Sequence, residues 1–261
     1  MARGLLWVFG VLVAVFLMAP ILAILPLSFS SGSFLFYPLP GLSLRWYRDF
    51  FASDFWLPAL WNSLVIGGAA AALATALGTP AAFGLWRMRG AARAVAMGMV
   101  LAPMVVPVIV VAVALLLAFG PWGLVATHAG LIIAHAALGV PFVVVTVLAS
   151  LEGFDATQLR AAAACGAGPL RAFFRVCLPQ IAPGVAAGAV FAFATSLDEV
   201  VVALFIAGPA QRTLPRQMFA GLNDQISLTT TAAAALLVLL SLALLLAVAW
   251  LQGRGRRRAG G

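Results

Sequence analysis

The sequence predicts an all-α membrane protein with six transmembrane helices, and three observations carry that prediction. The 261-residue chain is 64% hydrophobic and 8% charged, with a mean hydropathy of +1.14. That is too little charge to keep the surface of a soluble domain wet. Its apolar residues form continuous runs of roughly 20 or more, the length a helix needs to cross a hydrocarbon core about 30 Å thick. These runs lack the short apolar–polar alternation of membrane β-strands. The bilayer is the solvent for most of this chain, and a lone helix satisfies its own backbone there.

Taken in order, the first run (residues 5–27) follows Met-Ala-Arg and imitates a secretory signal. It exceeds the usual apolar core of such a signal and more spans follow, so it reads as an uncleaved signal-anchor helix. An external segment, 28–57, is long, aromatic and proline-bearing, and is expected to pack on the outer face. Further runs occupy 60–85, 94–119, 124–148, 181–208 and 228–251. Pro103, Pro107 and Pro141 lie inside spans and are expected to bend or open them. Gly120-Pro121-Trp122-Gly123 reads as a tight turn. No internal repeat is evident, which counts against carriers built from inverted repeats.

Arginine placement sets the orientation. All fifteen basic residues are Arg, and the net charge is +8. Arg3, Arg87, Arg89, Arg93, Arg160, Arg171, Arg175, Arg254, Arg256, Arg257 and Arg258 fall on one side of the predicted spans, and Arg45, Arg48, Arg212 and Arg216 on the other. This bias predicts a multi-pass membrane protein with both termini cytoplasmic. Because the arginines sit in short loops between apolar runs, they read as span flanks beside anionic lipid and not as a nucleic-acid surface. The expected organisation is an N-terminal helix with its external segment (1–57), a transmembrane domain (58–251) and a basic cytoplasmic tail (252–261).

The loop at 152–180 is too long and too patterned to be a simple connector. Asp155 and Gln158 are spaced as N-cap and N3 of a short helix, in the manner of a capping box. Alanine-rich sequence extends that helix to Cys165. Gly166-Ala167-Gly168 ends it, and Pro169 starts a second helix from the position it favours. Leu170, Phe173, Phe174 and Cys177 are expected to form one apolar face, with Arg171 and Arg175 together on another. Pro179 and Pro183 flank the return to the membrane. Such a helix–turn–helix fits a docking element for a cytosolic partner.

Arg160-Ala161-Ala162, three residues, Gly166, nine residues, then Val176-Cys177-Leu178-Pro179 resembles the EAA loop of type I ABC importer permeases. That pattern is Glu-Ala-Ala, three residues, Gly, nine residues, Ile, any residue, Leu-Pro. Arg160 stands where the family usually has Glu, and Val176 where it has Ile. The resemblance implies the six-helix permease fold, with 152–180 as a coupling helix seated on an ATPase. Its implied contact residues are Arg160, Ala161, Ala162, Gly166, Pro169, Phe173, Phe174, Leu178 and Pro179. It also implies the partners: a second permease, two cytosolic ATPase subunits and an external solute-binding protein. Asn62-Ser63-Leu64, Gly78-Thr79-Pro80-Ala81-Ala82-Phe83 and Arg87 extend the likeness. His135 with Pro141–Val147, Glu152-Gly153-Phe154-Asp155, and Ser196-Leu197-Asp198-Glu199 with Phe205 and Gly208-Pro209 resemble the spermidine/putrescine permeases. After Pro107, where those permeases often carry an acid, this chain has Val108.

Only seven acids exist, and Asp198 and Glu199 adjoin inside a predicted span. Carboxylates are costly in the hydrocarbon, so this pair reads either as a cation-contacting pair on the pathway or as a structural pair satisfied by backbone or arginine. His128 and His135 share a helix face but lack a third ligand, so packing or hydrogen bonding is expected and not a metal. Cys165 and Cys177 are too few for a disulfide framework. Gly184 and Gly188 form a small-residue packing pattern. Neither a nucleophile motif nor a Walker A sequence occurs, so the chain is expected to be no enzyme and to need no cofactor. A self-contained carrier is the competing reading. The 152–180 loop discriminates, because such a carrier needs no docking element.

Overall fold

The structure, a computed structural model, describes residues 2–224 and 227–259. Helix α1 (Ala2–Leu27) is apolar around its whole circumference, and nearly all its described side chains are exposed, as a lipid-facing helix requires. A short amphipathic helix, α2 (Arg45–Ala52), buries Trp46 and Phe50. Helix α3 (Trp56–Arg87) runs for 32 residues and passes through Pro80 without ending.

The third predicted span is two helices, α4 (Gly90–Val105) and α5 (Val108–Phe119), bent by 102°. Proline is the cause. Pro107 has no N–H to donate, and it forces Val106 into extended backbone at φ −71° and ψ 133°. Pro103 and Pro141, by contrast, lie inside unbroken helices. A 3₁₀ turn at Gly120–Trp122 follows, closed by Gly123 at φ +63°.

Helix α6 (His128–Glu152) opens where the Thr127 hydroxyl accepts the Gly130 N–H at 3.0 Å. The next helices are α7 (Thr157–Ala164) and α8 (Pro169–Ala172). A π-turn at Phe173–Cys177 joins α8 to α9 (Leu178–Asp198), so one continuous 30-residue helix, Pro169–Asp198, enters the bundle. Pro179 and Pro183 therefore do not mark a separate return to the membrane. Helix α9 ends at Asp198, and α10 (Val201–Ile206) starts afresh. The fifth span is thus interrupted where the apolar run at 181–208 predicts continuity. Helices α11 (Leu214–Asp224), which the sequence reading missed, and α12 (Leu228–Ala259) complete the chain. Among the described residues, five helices are long and apolar enough to cross a membrane, six counting the bent pair α4–α5.

The chain forms two compact units. One runs to Pro58 and takes in Gln217–Ser241. Leu27, Trp46, Leu228 and Ala232 make its core, and the Trp46 indole donates to the Ser30 carbonyl at 2.8 Å. In the segment after α1, Trp46 and Phe50 are the buried aromatics, whereas Phe34, Phe51 and Phe55 stay exposed.

The other unit holds Ala59–Arg216 and the chain from Leu242. Its centre is a seam of small residues, as the Gly184/Gly188 pattern predicts. A side chain at Gly184 would run into Ser150, and one at Gly188 would lie 2.9 Å from the Val143 backbone. Gly139 meets Ala192 and Ala74 in the same way, which draws α3, α6 and α9 into backbone-close contact. A second apolar cluster forms where Ile66, Ala112, Leu131, Val202 and Ile206 meet.

Candidate functional site

The 152–180 loop is built as a hinge between two helices. Its first helix starts later than a capping box at Asp155 and Gln158 predicts. Ala156 is the N-cap, and Asp155 instead accepts the Thr157 N–H at 2.9 Å. Hydrogen bonding from Thr157 holds the Asp155 carboxyl below its ordinary pKa. Gln158 is thereby released to bond Gln180, whose side chain also donates to the Val176 carbonyl at 3.1 Å. This amide pair ties the start of the loop to its end.

Gly166 ends α7 at φ +82°, in the left-handed region. Its N–H donates to Ala163 O at 2.9 Å, and the Ala167 N–H donates to Ala162 O at 3.0 Å, which together satisfy two of the carbonyls in the last turn of the helix. Pro169 opens α8 directly after the turn, as its fixed φ favours.

The expected apolar face splits in two. Cys177 is buried and Phe173 half-buried, whereas Leu170 and Phe174 are 75% and 59% exposed. The reason is helical spacing: 173 and 177 lie four apart on one face, while 170 and 174 lie four apart on a face about 100° away. Arg171 and Arg175 are exposed beside the outward pair, as are Arg160, Ala161 and Pro179. Ala162 and Leu178 are half-buried.

Aromatic packing fastens the inward face. Phe173 stacks edge-on against Phe83 at 4.9 Å, and Phe154 against Trp86 at 6.0 Å. Phe83 and Trp86 lie 5.8 Å apart on α3, with the Arg87 guanidinium 5.3 Å over the Phe83 ring. Each such ring pair adds roughly 0.5–1.5 kcal/mol beyond its burial. In the sequence, Phe83 and Phe154 stand out only through the family resemblance, and Trp86 does not stand out. Their places at a helix end and at a loop start, where aromatic belts form, could have linked them.

Asp198 and Glu199 stand at the far end of α9, about 30 Å of helical rise from Leu178. They share neither a role nor an environment. Asp198 is exposed, while half-buried Glu199 reaches forward to accept the Val202 N–H at 2.8 Å at the start of α10. One turn earlier, Ser196 bonds the buried His135 ring at 2.7 Å, and His128 meets Asn62 at 3.3 Å. Both histidines therefore make the hydrogen bonds that their apolar surroundings lead one to expect. Asn62 also donates to the Ala210 and Arg212 carbonyls at 2.9 and 3.1 Å, and Ser63 accepts the Leu214 N–H at 2.8 Å.

An all-helical bundle with a hinged loop tied to its spans defines a class: the membrane-embedded subunit of the ABC importer fold. A solved bacterial alginate ABC transporter, in complex with an alginate pentasaccharide-bound periplasmic protein, shares this fold. Its matching chain superposes with a TM-score of 0.74 at 16% identity, over 99% of this chain and 95% of that one. Sequence places the chain more closely. Residues 74–257 match the binding-protein-dependent transport system inner membrane component family, and the chain belongs to that family. It is 34% identical over 220 residues, 83% of each chain, to the spermidine/putrescine transport system permease protein PotC of Escherichia coli (strain K12). It is also 34% identical over 233 residues to the putrescine transport system permease protein PotI of the same strain, covering 83% of this chain and 80% of that relative.

Proposed function

We propose that the chain forms half of the translocation pathway of an ATP-driven importer, and that its cargo is a polyamine. The observation that carries this reading is the 34% identity, over 83% of both chains, to a spermidine/putrescine permease. In this reading the 152–180 loop lies in the cytosol as the seat of an ATPase. Leu170 and Phe174 offer apolar surface and Arg171 and Arg175 a cationic flank, while Arg160–Ala162 and Gly166–Pro169 shape the approach. ATP is hydrolysed by two separate cytosolic subunits. A second permease completes the pathway, and an external binding protein delivers the solute. The arginine bias sets both termini in the cytoplasm, and the chain divides functionally into 1–57, 58–251 and 252–261. The side chains of the basic tail lie outside the described residues.

At the break after α9, Asp198 offers a carboxylate to a polycation that sheds water as it enters, which offsets part of the dehydration cost. Glu199 holds the backbone open at that point. Radiolabelled spermidine is expected to accumulate in proteoliposomes that hold the whole complex, and to bind its external binding protein tightly. A reporter fused after Gly261 should be active only as a cytoplasmic fusion, and one near Gly120 only as a periplasmic fusion. Uptake of a neutral or anionic solute in place of polyamine would reassign the cargo. A reversed reporter pattern would overturn the orientation and the docking surface together.

A further inference from the structure

We infer that α3 is the rod that carries movement of the docking loop across the membrane to the segment following the broken span. This rests on the reading of 152–180 as the ATPase seat.

At one end of α3, Trp86 holds Phe154 and Phe83 holds Phe173. These are the residues at which the chain has just left α6 and is about to join α9. The loop is therefore gripped at both its start and its end by a helix that does not border it in sequence. Gln158 and Gln180 bond across the loop and tie its start to its end.

At the other end, Asn62 takes two carbonyls of the 210–212 stretch, and Ser63 takes the N–H of Leu214. Asn62 and Trp86 are 24 residues apart on one uninterrupted helix. That is a rise of about 36 Å, more than the roughly 30 Å hydrocarbon core. Helix α9, which the loop feeds directly, stops at Asp198. Displacement passed along α9 meets the helix break at Glu199 and Val200, whereas displacement passed along α3 reaches 210–214 through one helix. Side chains alone join α3 to the loop, so truncating them tests the connection without cutting the chain. Position between two sites is not coupling, and the test must therefore measure coupling directly.

The assembled complex is prepared with Cys165→Ser, Cys177→Ala and Ala210→Cys, the last carrying an environment-sensitive fluorophore. Addition of Mg-ATP is expected to change its emission. Trp86→Ala should cut that fractional change at least tenfold, with ATPase co-purification intact and basal ATP hydrolysis within twofold. Trp86→Phe should restore at least half of the response. Asn62→Ala should also suppress it, and the Asn62→Ala, Trp86→Ala pair should be no worse than the more severe single variant, because both break one link. An undiminished response in Trp86→Ala, or losses that multiply in the pair, overturns the rod. If Trp86→Ala sheds the ATPase, Phe83→Leu takes its place, and an undiminished response there overturns the rod equally. A parent complex that keeps its ATPase but shows no response also overturns the rod alone. A parent that binds no ATPase overturns the docking reading, and the rod with it.

Discussion

At its two ends the helix that runs from Pro169 to Asp198 is set off from the rest of the chain by different means. The turn that precedes it is written in backbone chemistry. Gly166 takes a conformation other residues resist, and Pro169 restarts the helix with its fixed φ. The break that follows it contains neither glycine nor proline. There the Glu199 carboxylate takes the Val202 N–H, supplying by side chain what the backbone of a continuous helix would supply. A backbone-coded turn keeps its shape whatever surrounds it. A break capped by one carboxylate rests instead on a single side-chain hydrogen bond of roughly 1.5–3 kcal/mol. In the proposed reading the first would serve as a rigid docking surface and the second as a point on the alternating pathway.

The sharpest way to break this comparison is at Gly166. A Cβ there meets nothing within 4 Å of the same chain, so inside this chain the first cost of a substitution is backbone strain. Left-handed backbone costs a bulky residue roughly 1–2 kcal/mol, too little to unfold the protein but enough to redirect the turn. Gly166→Leu should leave the chain inserted and abolish both uptake and transport-linked ATP hydrolysis. Gly166→Asn, which tolerates that conformation, should retain most of both. Normal uptake by assembled Gly166→Leu complexes would remove the hinge from the mechanism.

Next in size is the break itself. Asp198→Asn with Glu199→Gln should lower polyamine uptake about tenfold or more while the ATPase still co-purifies. The single variants sharpen the contrast. Glu199→Gln keeps an acceptor for the Val202 N–H and should cost less than Asp198→Asn, which removes the exposed charge. Equal losses would mean that the two carboxylates act together. Collapse of the assembly would mean that the pair is purely structural.

The smallest effect belongs to Asp155. Asp155→Ala should loosen the first turn of α7, seen as faster amide exchange there, with uptake falling less than twofold. Because the folded-state pKa is lowered, the Asp155 contribution is present above the ordinary carboxylate range and disappears as pH falls through the folded value. The parent protein should therefore approach the exchange rate of the variant in acid. A difference between the two that persists at low pH would assign the effect to something other than the carboxylate.

What could be read from the sequence followed the same division. Gly166, Pro169 and Pro107 act through local backbone rules, so the hinge and the bend of the third span were legible. The second interruption was hidden because an apolar run spells a helix whether or not one acid inside it caps a new turn. The split between Phe173 and Phe174 was hidden for a different reason. Adjacent aromatics look equivalent until a tertiary partner, here Phe83, selects one of them. Trp86 signalled no more than a place in an aromatic belt, because its partner, Phe154, lies far along the chain.

The π-turn at Phe173–Cys177 also bears on how this chain is compared with its relatives. Its carbonyl at Phe173 receives the Leu178 N–H, five residues on, so this turn holds one residue more than a regular α-turn. Five residues in that turn sweep about as far round the axis as four in a regular turn, so removing one of them would let the helix close as a regular α-helix with Leu170 on nearly the same face. A one-residue deletion elsewhere between Pro169 and Asp198 would instead swing the residues before it by about 100° relative to the span below. Where insertions and deletions accumulate among relatives, this junction is therefore the place at which a gap of one residue preserves the outward face, and an alignment that slides the gap elsewhere would pair inward residues with outward ones.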